Sequence, residues 1–219
     1  MAKPHISRRY FSRYLAGMTA AVSVSQAIGQ STAPLAAPIT TQPAGQPATR
    51  SKVPAELAAF GQSATWQMQG TGVLRFFGFK AYDANLWTAG PLKANPLADK
   101  SLFALEIVYN ASIKADEIVN VSLVEMARLK KLSDVQIKSW TADMQRTFPS
   151  VVSGDRLTGV YVPKVGTRFF LNSRLIAEIN DPAFGDAFFA IWLDEGTKRP
   201  ELRRALLGQP AAATTAPNN

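Results

Sequence analysis

The feature that most constrains the fold is a change of hydrophobic period partway along the chain. Residues 64–87 (ATWQMQGTGVLRFFGFKAYDANLW) are rich in Trp, Phe, Tyr, Leu and Val and are interrupted by Gly70, Gly72 and Gly78. That composition predicts two or three successive strands, with bulges or tight turns at the glycines. Residues 101–109 predict another strand. One face carries Leu102, Ala104, Glu106 and Val108, and the other, wholly apolar and expected to be buried, carries Phe103, Leu105, Ile107 and Tyr109. The period then switches to that of a helix. Val119, Leu123 and Met126 repeat at helical spacing, with Asp116 and Glu117 in the first turn and Lys130 and Lys131 in the last, as the helix dipole favours. Ser133 and Gln136 form a capping-box pattern that opens a second helix, which aligns Ile137, Trp140, Met144 and Phe148 and ends at Pro149. Strands follow over 156–162, 167–171 and 175–179. Asp181-Pro182 starts a third helix lined by Phe184, Phe188 and Ile191, and a short helix over 200–207 is closed by Gly208. Strands, a helix pair, more strands and more helices in that order predict an α+β domain, an antiparallel sheet with helices packed on one face.

The flanks read differently. Ser7-Arg8-Arg9-Tyr10-Phe11 resembles a twin-arginine export signal, and no charge occurs between Arg13 and Arg50. The mildly apolar run from Tyr14 to Ile28 is too short and too polar to span a bilayer comfortably. Residues 1–29 are therefore expected to be a signal peptide cleaved after Gly29, leaving no stable transmembrane segment in a periplasmic or otherwise exported product. Residues 30–53, rich in Pro, Ala, Thr and Gln, and 209–219 lack the apolar surface to offset ordering entropy, so they are expected to be a linker and a tail around a domain at 54–208.

Composition removes several chemistries. There is no cysteine, and the lone histidine, His5, lies in the leader. Disulfides, thiolate or imidazole metal sites and His-based nucleophilic triads are excluded from the domain, and no metal or cofactor motif is present. The formal charge of +8 falls to +4 once Lys3, Arg8, Arg9 and Arg13 are removed. That is too mild for a nucleic-acid footprint, and no basic stripe interleaved with aromatics occurs.

The run from Phe77 to Trp87 (FGFKAYDANLW), then Ser-Gly-Asp-Arg-Leu at 153–157, Gly-Thr-Arg-x-x-Leu-Asn at 166–172 and Asp-Pro-Ala-Phe…Ile-Trp-Leu at 181–193 together resemble the bacterial chalcone isomerase-like proteins. The resemblance implies an open-faced β-sandwich, a large antiparallel sheet with helices layered on one face. It implies two kinds of activity. Plant members cyclise chalcones by intramolecular attack of a phenolate, which requires neither His nor Cys. Other branches bind fatty acids without catalysis, using an Arg and a Tyr on the carboxylate.

On the residues themselves, Arg75, Lys80 and Tyr82 are the candidate ligand-binding set, because a guanidinium fork and a phenol suit a carboxylate or phenolate oxygen. Lys80 and Tyr82 are expected to share a face, whereas Arg75 and Tyr82 converge only through a turn or bulge at Gly78. The alternative is that Arg75 and Lys80 are solvated strand charges. Arg168 and Asn172 are expected to serve the hairpin, and Trp66, Trp87, Trp140 and Trp192 the core. The plant isomerase constellation finds no match in this sequence; the polar Asn120 and Ser122 do not supply it. The expected function is binding of a small amphipathic anion, fatty acid or phenolic. An intramolecular lyase and a non-catalytic envelope interaction protein are the alternatives.

Overall fold

Hairpin chemistry sets the architecture. The structure, a computed structural model, describes residues 52–60, 65–76 and 78–210. They belong to the compact unit Pro47–Asn219. The leader, most of the linker and the end of the tail lie outside the described residues. Strands β1 (Trp66–Phe76) and β2 (Phe79–Ala89) form the first hairpin, and β3 (Phe103–Tyr109) pairs with β2. Two helices follow, α1 (Ala115–Leu129) and α2 (Asp134–Thr147). The chain then returns to the sheet as β4 (Arg156–Val162), β5 (Gly166–Leu171) and β6 (Arg174–Ile179), and ends in α3 (Pro182–Leu193) and α4 (Pro200–Leu206). The sheet is six-stranded and antiparallel in strict order β1-β2-β3-β4-β5-β6. The α1–α2 excursion therefore leaves from β3 and returns beside it.

The predicted caps form. The Ser133 hydroxyl accepts from Gln136 N, and Asp181 Oδ1 accepts from Ala183 N at 2.9 Å with Pro182 in the first turn of α3. Asp181 Oδ2 also accepts from the Trp140 indole at 2.8 Å, fixing α3 to α2. The cap of α1 comes from elsewhere: Ser150 Oγ accepts from Ala115 N at 3.1 Å.

The face of β3 expected to be buried packs under α3. Phe103 stacks on Tyr161 at 5.0 Å and meets Phe189 edge-on at 4.9 Å, while Phe169 meets Phe188 at 5.3 Å. Phe184, Phe188, Phe189 and Trp192 continue this aromatic layer along α3, against Trp140, Met144 and Phe148 of the α2 region. All four tryptophans are buried, as expected.

Two sequence expectations require correction. Gly72 marks neither a bulge nor a turn, because β1 runs through it in register; a bulge lies beside Gly70, between it and Met68, and only Gly78, at φ +82°, makes a turn. Gly70 and Gly72 instead admit α4. A Cβ on Gly70 would lie 2.1 Å from Ala205 O, and one on Gly72 would lie 2.6 Å from Leu202 Cδ1. Secondly, the sheet face away from the helices is not bare. A 3₁₀ helix at Ala55–Phe60 lies over it, its Leu57 packing with Trp66, Trp87, Ala104, Val160 and Phe170 in a second apolar cluster.

Candidate functional site

Strand register decides where the candidate residues point. Tyr82 lies opposite Leu74, and the next β1 residue, Arg75, lies opposite Lys80; the skipped residue, Ala81, is a bulge. Leu74 and Tyr82 pack into the helix-side core. Arg75, one residue along, faces the other way and is exposed, its guanidinium 3.5 Å from the Gly78 carbonyl and contributing to the positive field on Asp83. Lys80 pairs with Asp83 at 2.8 Å on that same outer side. Burial acts to raise the Asp83 carboxyl, but the Asn110 amide and the Lys80 ammonium outweigh it and hold the group below its ordinary value. The bulge thus breaks the expected sharing of a face by Lys80 and Tyr82. The turn at Gly78 does not bring Arg75 to Tyr82, so Arg75 and Lys80 are solvated strand charges and the predicted trio is divided by the sheet.

On the helix side, Tyr82 meets Tyr109 edge-on at 6.2 Å, and its hydroxyl accepts from the Trp192 indole at 3.0 Å. Burial pushes its phenol up to about 12, only partly opposed by the Trp192 donor and the positive charge of Arg199 at the start of α4. At neutral pH it is a protonated phenol with one lone pair engaged and, among the described residues, an O–H still to donate. The seam beyond it is filled by the α3 rings, with Trp192 against Phe188 at 5.4 Å. Chemically this corner can donate a hydrogen bond to an anion in an apolar, electropositive setting.

The outer face carries a hollow of about 500 Å³ bordered by Lys52, Asn85, Glu106, Val108, Arg156 and Asn172. Its floor is a charged network. Glu106 Oε2 accepts from Asn85 Nδ2 at 2.9 Å and from the Trp87 indole at 3.5 Å, and Asn85 Oδ1 accepts from Thr71 at 2.7 Å. Arg156 lies between two buried carboxylates, with Nε 3.3 Å from Glu106 Oε1 and a terminal nitrogen 3.4 Å from Glu56 Oε2. Glu56, delivered by the 3₁₀ helix and wholly buried, also accepts from Thr158 at 2.7 Å. Asn172, at φ +49°, accepts from Arg156 N and donates to Asp155, whose exposed carboxylate is lowered by that bond and by Val152 N–H. Arg168 pairs with Glu178 at 2.9 Å and lies 5.2 Å over the Phe60 ring, so both hairpin residues hold structure as expected. Sequence reasoning missed Glu56, Glu106 and Arg156. The available signal was Glu106 itself, the lone charge inside an otherwise apolar strand.

The comparisons with known proteins agree with this architecture. The chain is 29% identical over 147 residues to an uncharacterised protein of Haemophilus influenzae, spanning 67% of this chain and 70% of the relative. Its fold is similar to the crystal structure of an Arabidopsis thaliana fatty-acid binding protein, with a TM-score of 0.53 at 11% identity, over 67% of this chain and 88% of that one. The family model described as chalcone isomerase-like matches residues 49–208, which takes in every strand and helix described above. This chain belongs to the chalcone isomerase-like family.

Proposed function

We propose that the protein is an exported, non-catalytic binding domain that holds a small amphipathic anion, a fatty acid or a phenolic compound, with its polar head at Tyr82. The observation that carries this reading is the Tyr82 hydroxyl. It is desolvated and protonated, its lone pair is held by Trp192, and its proton is available to a carboxylate or phenolate beside the Arg199 charge. The apolar tail would lie along the seam between the sheet and α3, whose rings must part to admit it. The fatty-acid binding activity of the structural neighbour and the export-like Ser7–Phe11 segment support the same reading.

Displacement of cis-parinaric acid from the full chain tests it. Wild type is expected to bind in the micromolar range, Tyr82→Phe about tenfold more weakly through loss of one hydrogen bond to a charged group, and Arg75→Ala unchanged. Absence of binding by wild type at tens of micromolar removes the proposal. That outcome favours an envelope interaction protein whose cleft is vestigial, a reading to which the filled seam also lends weight. Recovery of the chain from the periplasmic fraction, shortened at its N-terminus, tests export.

A further inference from the structure

We propose that the hollow on the outer face of the sheet is a second binding site, for a neutral polyhydroxyl ligand of mono- or disaccharide size. Its volume, about 500 Å³, falls within the range of roughly 300–1,000 Å³ of small-molecule sites. It is separated from Tyr82 by the sheet itself, so it stands or falls independently of the function proposed above.

Charge fixes the class of ligand. Lys52 and Arg156 balance Glu56 and Glu106. A free anion approaching the guanidinium would meet Glu106 Oε1, and a free cation approaching Glu106 would meet Arg156 and Lys52. Neither is favoured, while an uncharged group that both donates and accepts is. The floor presents that requirement directly. Arg156 Nε is buried without an aligned hydrogen-bond acceptor among the described residues, although Glu106 Oε1 lies 3.3 Å away. The Arg156 side chain is 31% exposed at the hollow, so a hydroxyl there accepts from the guanidinium and donates to the neighbouring Glu106 carboxylate, with Lys52 at the mouth for a vicinal hydroxyl. Val108, half-buried between these polar groups, offers an apolar patch to the C–H face of a sugar ring. The remaining polar atoms are committed: Asn85 to Thr71 and Glu106, and Asn172 to Arg156 and Asp155. The receptive surface is therefore preorganised.

The Trp87 indole N–H, which donates to Glu106 Oε2, reports on this floor, as the Trp192 indole reports on Tyr82. In ¹⁵N-indole spectra of the full chain, N-acetylglucosamine or sucrose is expected to shift the Trp87 signal saturably while Trp192 stays in place. Glu106→Gln is expected to weaken that response about tenfold. Lys52→Ala, at an exposed position, is expected to weaken it about fivefold and keeps the test decisive if the buried variant misfolds. A Trp87 signal unmoved by both saccharides, moved equally by inorganic phosphate, or moved identically in wild type and Lys52→Ala overturns the proposal. Cis-parinaric acid shifting Trp192 alone bears only on the Tyr82 site.

Discussion

Replacing Gly70 by alanine separates two roles that glycines play in one short stretch of chain. The added Cβ would lie 2.1 Å from Ala205 O, 2.5 Å from Leu206 O and 2.7 Å from Leu206 C, all backbone atoms of the α4 segment that no rotamer change can move. Restoring a contact of about 3.5 Å requires α4 to retreat by about 1.4 Å. Overpacking on that scale costs about 1–3 kcal/mol, offset by less than about 1 kcal/mol for removing glycine from a strand. The expected net loss is about 1–2 kcal/mol, rising to about 6 kcal/mol if α4 leaves and re-exposes Leu202, Leu206 and Leu207. Gly78 is the control: it sits at φ +82° with nothing within 4 Å of its Cβ position, so alanine there meets only backbone strain of about 1 kcal/mol. Urea unfolding followed by tryptophan fluorescence measures both. Trypsin sensitivity at Arg203 and Arg204 reports whether α4 has lifted. A Gly70→Ala protein within about 0.5 kcal/mol of wild type, or a Gly78→Ala protein that is the less stable of the two, refutes the reasoning.

Four further outcomes follow from the same contacts. Arg156→Met leaves Glu56 and Glu106 buried without their counter-charge and is expected to lose about 3 kcal/mol in urea unfolding. Asp181→Ala removes both the α3 cap and the acceptor for the Trp140 indole, for a loss of about 2 kcal/mol. Arg75→Ala, exposed and bonded weakly to Gly78, is expected to stay within about 0.5 kcal/mol of wild type. Because the Tyr82 phenol is raised in the folded chain to about 12 from its ordinary 10.0, the stability it contributes is full below pH 10 and is lost as pH rises through 12. The loss is about 2–3 kcal/mol. Alkaline unfolding of Tyr82→Phe should show a smaller limb, with Tyr161, raised by its own burial and by Asp186, supplying the remainder.

Local chemistry was legible wherever a residue's role is settled by its near neighbours in the chain. Ser133 and Gln136, Asp181 and Pro182, and the alternation from Phe103 to Tyr109 each announced an element that the structure contains. The candidate site was less legible because its geometry depends on a single extra residue. The bulge at Ala81 reverses which side Lys80 takes relative to Tyr82, and nothing in FKAY marks it. Trp192 as partner to Tyr82 lies 110 residues away, a pairing that periodicity cannot supply. The network on the outer face was hidden for a related reason. Glu106 reads as a solvent-facing residue until the 3₁₀ helix brings Glu56 over the sheet and β4 brings Arg156 beside it. Gly70 and Gly72 were noticed, but their meaning lay in a helix from the far end of the domain.

That last pairing has a consequence for biogenesis. The first described strand is roofed by the last described helix, so a nascent chain halted before Pro200 presents an edge strand whose two glycines lack the helix that seats on them. Completion of the domain must await emergence of Pro200–Leu206 from the ribosome. Any machinery that accepts only finished molecules would find, in the docking of this one short helix, the final event to wait for.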